Sequence, residues 1–246
     1  MAFRRIAPCA FENKWSMKAE RLEDYLVQTK ALQKKYEGQI ELYIGLEVDF
    51  VPDKCAPADF PQLDYCVGSV HYVGLNQLGQ PWEIDGSSVE FLGCLDTQYR
   101  GDIRTVIQKY YGLIRQMVET NPPQIVGHLD KIKMHNAARF LFDESEGWYV
   151  AQIEETLQTI QKAGIIVEIN TRGNYKKGLD LYPSPWIISR MYELNIPICI
   201  NSDSHRPEEI MASYPLAFQA AQEAGYRTLR ILLGGQWQDV AIKENV

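Results

Sequence analysis

Apolar and polar positions along this chain follow two periods that repeatedly swap. Residues 16–38 put Leu22, Tyr25, Leu26 and Leu32 on one helical face and stop at Gly38, the spacing and ending of an amphipathic helix. IELYIGLEVDF (40–50) follows directly and is rich in β-formers. The pattern then predicts a strand over 64–74, a long loop over 75–101 carrying Gly, Pro, Asp and Ser, a helix over 102–120 and a short strand over 124–130. It continues with a helix over 148–163, a strand over 164–173, a helix over 184–195, the strand IPICINSDSH (196–205), a helix over 216–225 and a last strand over 228–234. Near-continuous apolar strands between helices predict a parallel sheet covered on both sides. Polar residues collect at the C-terminal ends of those strands, where barrel enzymes carry their chemistry, so a (β/α) barrel is the expected architecture.

Those strand ends supply Glu47 (IGLEVDF), His71 (GSVHY), His128 (VGHLD), Asn170 with Arg172 (EINTRG), then Asp203 and His205 (NSDSH). A lone histidine on an apolar strand is usually a satisfied core residue. Three of the chain's four histidines at equivalent positions, together with Glu47 and Asp203, point instead to a site for Zn²⁺, Mn²⁺ or Fe²⁺. A carboxylate such as Glu47 can bridge two ions, and two ions can activate a water and steady a phosphoryl transition state. Arg172 is a candidate anion clamp, because guanidinium matches phosphate with two parallel hydrogen bonds. Lys176 and Arg206 are candidate substrate contacts, with Lys177 as a further helper. Asp203 and His205 are candidates for proton transfer. Asp49 and Asp130 each follow a proposed ligand by two residues, where either could orient an imidazole or cap a helix. His135 lies off the strand ends and is expected at the surface or behind the ligands. WEIDGSS (82–88) within the long loop is a candidate cover for the pocket, or a plain surface excursion.

Charge and length narrow this picture. The chain has 246 residues and a net charge of −7, with no Lys/Arg run able to track a phosphate backbone, so a nucleic-acid partner is not expected. A small anionic substrate is still compatible with that balance. The length suits one domain, 1–246. The five cysteines are odd in number and form no CxxC pair, which suits free thiols in a reducing compartment. With no signal peptide and no apolar run of membrane-spanning length, a cytoplasmic setting is expected and no membrane partner. Oligomeric state is not legible.

Taken in order, GLEVDF, GSVHY, GHLDKIK, EINTRG…YPSPWII and INSDSH resemble the PHP-type histidinol-phosphate phosphatases over nearly the whole chain. NSDSH and SVHY are general to PHP proteins; APCAFENKWSMK and NTRG…YPSPWII resemble the histidinol-phosphatase branch. The resemblance implies an α/β fold, a distorted (β/α)7 barrel of the PHP type, holding up to three divalent metal ions. It implies hydrolysis of L-histidinol phosphate to L-histidinol and phosphate, a late step of histidine biosynthesis. It also implies that Glu47 bridges two ions, His71 and His128 complete one of them, Asp203 holds the second and His205 the third, with Arg172 near the phosphate. The family pattern opens with a strand ending in H-x-H and a second ending in S-x-H before AP. This sequence reads MAFRRI and then APCAF, so the first β/α unit and its ligands are expected to be missing. A misplaced start, a truncation and a degenerate member with little or no activity would each account for that, and a PHP phosphoesterase for another small substrate is a further alternative.

Overall fold

The computed structural model describes Arg5–Ile6 and residues 16–242. In chain order the elements are β1 (Arg5–Ile6), α1 (Leu22–Lys35), β2 (Gly45–Asp49), β3 (Tyr65–Ser69), β4 (Tyr72–Leu75), β5 (Pro81–Glu83), α2 (Ser88–Tyr99), α3 (Ile103–Thr120) and β6 (Ile125–Val126). After a 3₁₀ segment, Lys131–Ala137, come α4 (Gly147–Ala163), β7 (Ile166–Asn170), α5 (Arg172–Lys177), α6 (Pro185–Glu193), β8 (Ile198–Asn201), α7 (Tyr214–Ala224), β9 (Thr228–Leu233) and β10 (Gln236–Ala241).

The expected parallel sheet is present. Its six strands run in the order β1-β2-β3-β6-β7-β8, and every ladder is parallel. Among the described residues no ladder joins β8 back to β1. The strand period of two sorts the side chains onto opposite faces. Val126, Val167, Ile169, Ile198 and Ile200 face the helix layer in the main core. Leu46 and Val48 of β2 pack with Cys55 and Cys66, partly covered by Leu22 and Tyr25 of α1. The alternate residues Tyr65, Val67, Ile125, Ile166 and Cys199 form a separate cluster on the inner face, against Leu232 and Trp237 of the β9–β10 hairpin. The N-terminal end of the inner face is therefore apolar and plugged. Continuing the same alternation toward the C-terminal ends gives Glu47, Asp49, Ser69, Glu168, Asn170 and Asn201.

The helix layer follows from sequence as predicted. In α3, Ile103, Val106, Ile107, Tyr110, Tyr111, Ile114, Met117 and Val118 are buried at the three-to-four spacing of an amphipathic helix. Asp102 caps the start, accepting from Thr105 N at 3.1 Å. α4 ends at Gly164, whose φ of 68° is in the left-handed region that glycine adopts freely.

Four local expectations are corrected. The long loop over 75–101 contains β5 and α2; its hydrophobic spacing was hidden among turn residues. The single strand over 64–74 is two elements, because His71 breaks the ladder between β3 and β4. The last strand does not join the parallel sheet but pairs antiparallel with β10, a hairpin turned by Gly234 and Gly235, both at positive φ. On α1, Leu32 is exposed rather than on the packed face.

His135 is the fourth histidine, and it is fully buried rather than at the surface. Its ring stacks on Phe91 of α2 with centroids 3.9 Å apart, and its Nε2 is 2.7 Å from the Ile84 carbonyl. It thereby fastens the β5–α2 excursion to the body. Burial lowers the imidazole pKa from 6.5 to about 4. A histidine depressed in the folded state stays neutral while its unfolded counterpart protonates, so its stabilising contribution falls as pH drops from about 6.5 toward 4. That loss amounts to up to about 3 kcal/mol. In metal-free protein, urea unfolding at pH 7 and pH 4.5 is expected to show a steeper loss for the wild type than for His135→Gln. Equal losses would exclude His135 as the source.

Candidate metal centre and cleft

The strand ends bring three buried donor atoms to one point. Glu47 Oε1 lies 3.0 Å from His128 Nε2 and 3.4 Å from His71 Nε2, and the two Nε2 atoms are 3.1 Å apart. Glu47 projects from the inner face of β2, His71 follows β3 and His128 follows β6. Gly127 permits the approach, since a Cβ there would stand 2.4 Å from Ser69 Oγ. The His128 main-chain N–H donates to Glu168 at 2.7 Å.

This donor set fits a metal ion. With bonds of about 2.0–2.1 Å, ligand atoms around a tetrahedral ion stand about 3.3 Å apart, close to the spacings found. Nδ1 of His71 is hydrogen-bonded to Asp49 Oδ1, which fixes the proton on Nδ1 and leaves the Nε2 lone pair facing the centre. Burial and then Lys131 lower the His128 pKa, which favours the neutral ring with a lone pair free to ligate. Among the described residues, Glu47, His71 and His128 are the one group of three or more His, Cys, Asp or Glu side chains close enough to share an ion. Asp130, in contrast, takes no part in orienting His128. It binds Lys133 at 2.8 Å and accepts from Ser184 N at 2.9 Å.

Asp203 and His205 also line the cleft. The Asp203 backbone has a φ of 50°, which a non-glycine residue adopts rarely. His205 Nε2 is 3.3 Å from Asp203 Oδ1, and the His205 side chain is 53% exposed. Arg172 donates through Nη1 to the Asp203 carbonyl at 2.7 Å and to the Tyr175 hydroxyl at 3.1 Å. Its Nε is 3.9 Å from Asp203 Oδ2. Lys176 pairs with Glu209, whose pKa is held down at about 2 by that ammonium and by the His205 N–H. Arg206 is exposed and does not line the cleft.

The cleft has a volume of about 1760 Å³. Glu47, Asp85, Lys131, Arg172, Lys177 and Asp203 are among the residues that line it. The sequence reading missed Lys131 and gave Asp85 no role of its own. Asp85 sits in the WEIDGS stretch, which does line the cleft. Its Oδ2 is 3.8 Å from His71 Nε2 and 3.0 Å from Lys131 Nζ. Glu168 was also missed. It is buried, accepts from Asn170 Nδ2 at 2.9 Å and Asn201 Nδ2 at 2.8 Å, and burial raises its pKa to about 7. An acidic residue inside an apolar strand was the available signal.

Among the described residues no helix is long and apolar enough to cross a membrane, and Cys66, Cys94 and Cys199 are free thiols.

The family profile of the PHP domain matches residues 10–172. The histidinol-phosphatase assigned in Deinococcus radiodurans is 27% identical over 226 residues, covering 90% of this chain and 80% of that protein. The histidinol-phosphatase of Bacillus subtilis is 24% identical over 215 residues, covering 81% and 76%. Two crystal structures share the fold. One is of a protein assigned as a histidinol phosphatase in Listeria monocytogenes, with a TM-score of 0.70 at 22% identity over 87% of this chain and 88% of that one. The other is the histidinol phosphate phosphatase of Lactococcus lactis, solved with zinc, L-histidinol and phosphate, with a TM-score of 0.66 at 17% identity over 96% and 84%.

Titration of metal-free protein with Zn²⁺ is expected to raise its thermal midpoint. Asp49→Asn should keep the fold and lose about 10–100-fold in zinc affinity, read by competition with a chromophoric chelator. Unchanged affinity would mean that Asp49 does not orient His71.

Proposed function

The chain belongs to the PHP domain family, and on that premise we propose that it is a divalent-metal-dependent phosphomonoesterase hydrolysing L-histidinol phosphate to L-histidinol and phosphate. The observation that carries this is the convergence of Glu47, His71 and His128 at a cleft that Glu47 and Arg172 both line. The names of the curated relatives support the substrate. Zinc is the leading ion, supported by the Lactococcus structure, with Mn²⁺ and Fe²⁺ as alternatives. The setting we propose is cytoplasmic, within histidine biosynthesis.

An ion held by Glu47, His71 and His128 supplies Lewis acidity and a water of lowered pKa. The chain's own residues do the rest. Arg172 is braced by the Asp203 carbonyl and the Tyr175 hydroxyl, so its guanidinium meets phosphate oxygens in a fixed orientation. Such preorganised donors stabilise charge that builds in the transition state without having to reorganise. His205, beside Asp203 and open to the cleft, gives a proton to the leaving alkoxide oxygen. The cleft is larger than the roughly 300–1,000 Å³ typical of small-ligand sites, which favours a second reading, a phosphoesterase for another small phosphorylated compound.

Phosphate release from L-histidinol phosphate by zinc- or manganese-loaded protein, against a panel of sugar and amino-alcohol phosphates, tests both readings. Arg172→Ala is expected to lower turnover about 10²–10³-fold with metal content unchanged. Equal turnover would remove Arg172 from the site. Metal binding without release from any phosphomonoester would leave a binding protein on this fold.

A further inference from the structure

Lys133 is buried, does not line the cleft and has no part in the chemistry described above. It lies on the 3₁₀ segment that follows His128, where the Lys131 N–H donates to the His128 carbonyl at 3.0 Å. A lysine ammonium is costly to bury unless it is paired and hydrogen-bonded, and its three donors meet three oxygens here. One is Asp130 Oδ2, at 2.8 Å. The others are the Leu181 carbonyl, at 3.0 Å, and the Ser184 hydroxyl. Asp130 Oδ2 also accepts from Ser184 N at 2.9 Å. The turn after His128 is thereby clamped to a segment 48 residues further along the chain. A buried ion pair adds little net stability over apolar groups of the same size; what it does fix is a distance and a direction.

What the clamp holds is the chain around Tyr182. Tyr182 exchanges two main-chain hydrogen bonds with Asn170, the last residue of β7, at 2.7 and 3.0 Å. The Asn170 side-chain oxygen in turn accepts the Arg172 N–H at 2.9 Å. The Tyr182 ring lies so close to Gly173 that a Cβ there would stand 2.7 Å from it, and 2.8 Å from the Asp180 carbonyl. The start of α5, which carries Arg172, is therefore seated on the segment that Lys133 holds.

We propose that Lys133 is a positioning residue for Arg172: by tying the 181–184 chain to the turn after His128, it sets where the guanidinium stands relative to the metal donors. The proposal deepens the phosphomonoesterase reading and rests on it for the role of Arg172. It assigns the buried Asp130–Lys133 pair to the geometry of the cleft rather than to the stability of the fold.

The experiment is a double-mutant cycle on the whole chain, loaded with Zn²⁺ and titrated calorimetrically with inorganic phosphate. The first change is Asp130→Asn with Lys133→Met, which removes both charges together and leaves an oxygen to accept from Ser184 N. The second is Arg172→Ala. Zinc content and thermal midpoint are expected to stay near the wild-type values. The paired change is expected to weaken phosphate binding about tenfold in the wild-type background and by no more than about twofold when Arg172 is already absent. A merely structural role would lower affinity by the same factor in both backgrounds, and that result, or an unchanged affinity in the first, would overturn the proposal. So would wild-type protein that takes up zinc and binds no phosphate. Gly173→Ala keeps the ion pair but presses a methyl group on Tyr182, and it is expected to show the same dependence on Arg172; it decides the matter if the paired change unfolds the protein. If the cycle behaves as expected with phosphate and no phosphomonoester is turned over, the functional reading falls and the positioning role stands.

Discussion

Everything in this cleft depends on one unfavourable arrangement: a carboxylate oxygen and two imidazole nitrogens held 3.0–3.4 Å apart, out of water. One proton can relieve one of these contacts by making a hydrogen bond. It cannot satisfy three acceptor positions together, whereas a divalent ion accepts from all of them. Burial sharpens the preference, because desolvation disfavours the protonated imidazole of His128 and so keeps its lone pair available.

Such an arrangement survives only if the frame around it is rigid, and the inner face of the sheet provides that frame. The apolar cluster of Tyr65, Val67, Ile125, Ile166 and Cys199 fixes the N-terminal ends of four neighbouring strands against the β9–β10 hairpin. The opposite ends are then free to carry polar groups, but these must be satisfied among themselves. Glu168 does this for three strands at once, by accepting from the His128 main chain, Asn170 and Asn201. A carboxyl with burial raising its pKa to about 7 is tolerated there because all three of these contacts are donors. The same alternation that sends valines and isoleucines outward thus sends Glu47, Asp49 and Glu168 to one polar mouth.

This division explains how much was legible in the sequence. The helix–strand alternation, the parallel sheet and the gathering of Glu47, His71 and His128 at the strand ends could all be read, because each rests on a local period or on a residue type at a strand end. The β5–α2 excursion could not: turn residues in PWEIDGSS masked a helix whose buried positions are only Phe91 and Leu95. His135 was misplaced because its partners, Phe91 and Ile84, are more than forty residues away in sequence. The difference between Lys176 and Lys177 was equally invisible, since adjacent lysines diverge only once Glu209 has been folded against one of them.

The net charge of −7 would seem to argue against binding a phosphate, and the geometry shows why it does not. A surface carboxylate farther from the cleft than the screening length of roughly 8 Å at physiological ionic strength repels an approaching anion only weakly. Within the cleft, several of the carboxylates are already engaged. Asp85 meets Lys131, Glu209 meets Lys176, and Glu47 belongs to the metal triad. The charge an anion meets in the cleft therefore depends on these local pairings and on Arg172, more than on the composition of the chain.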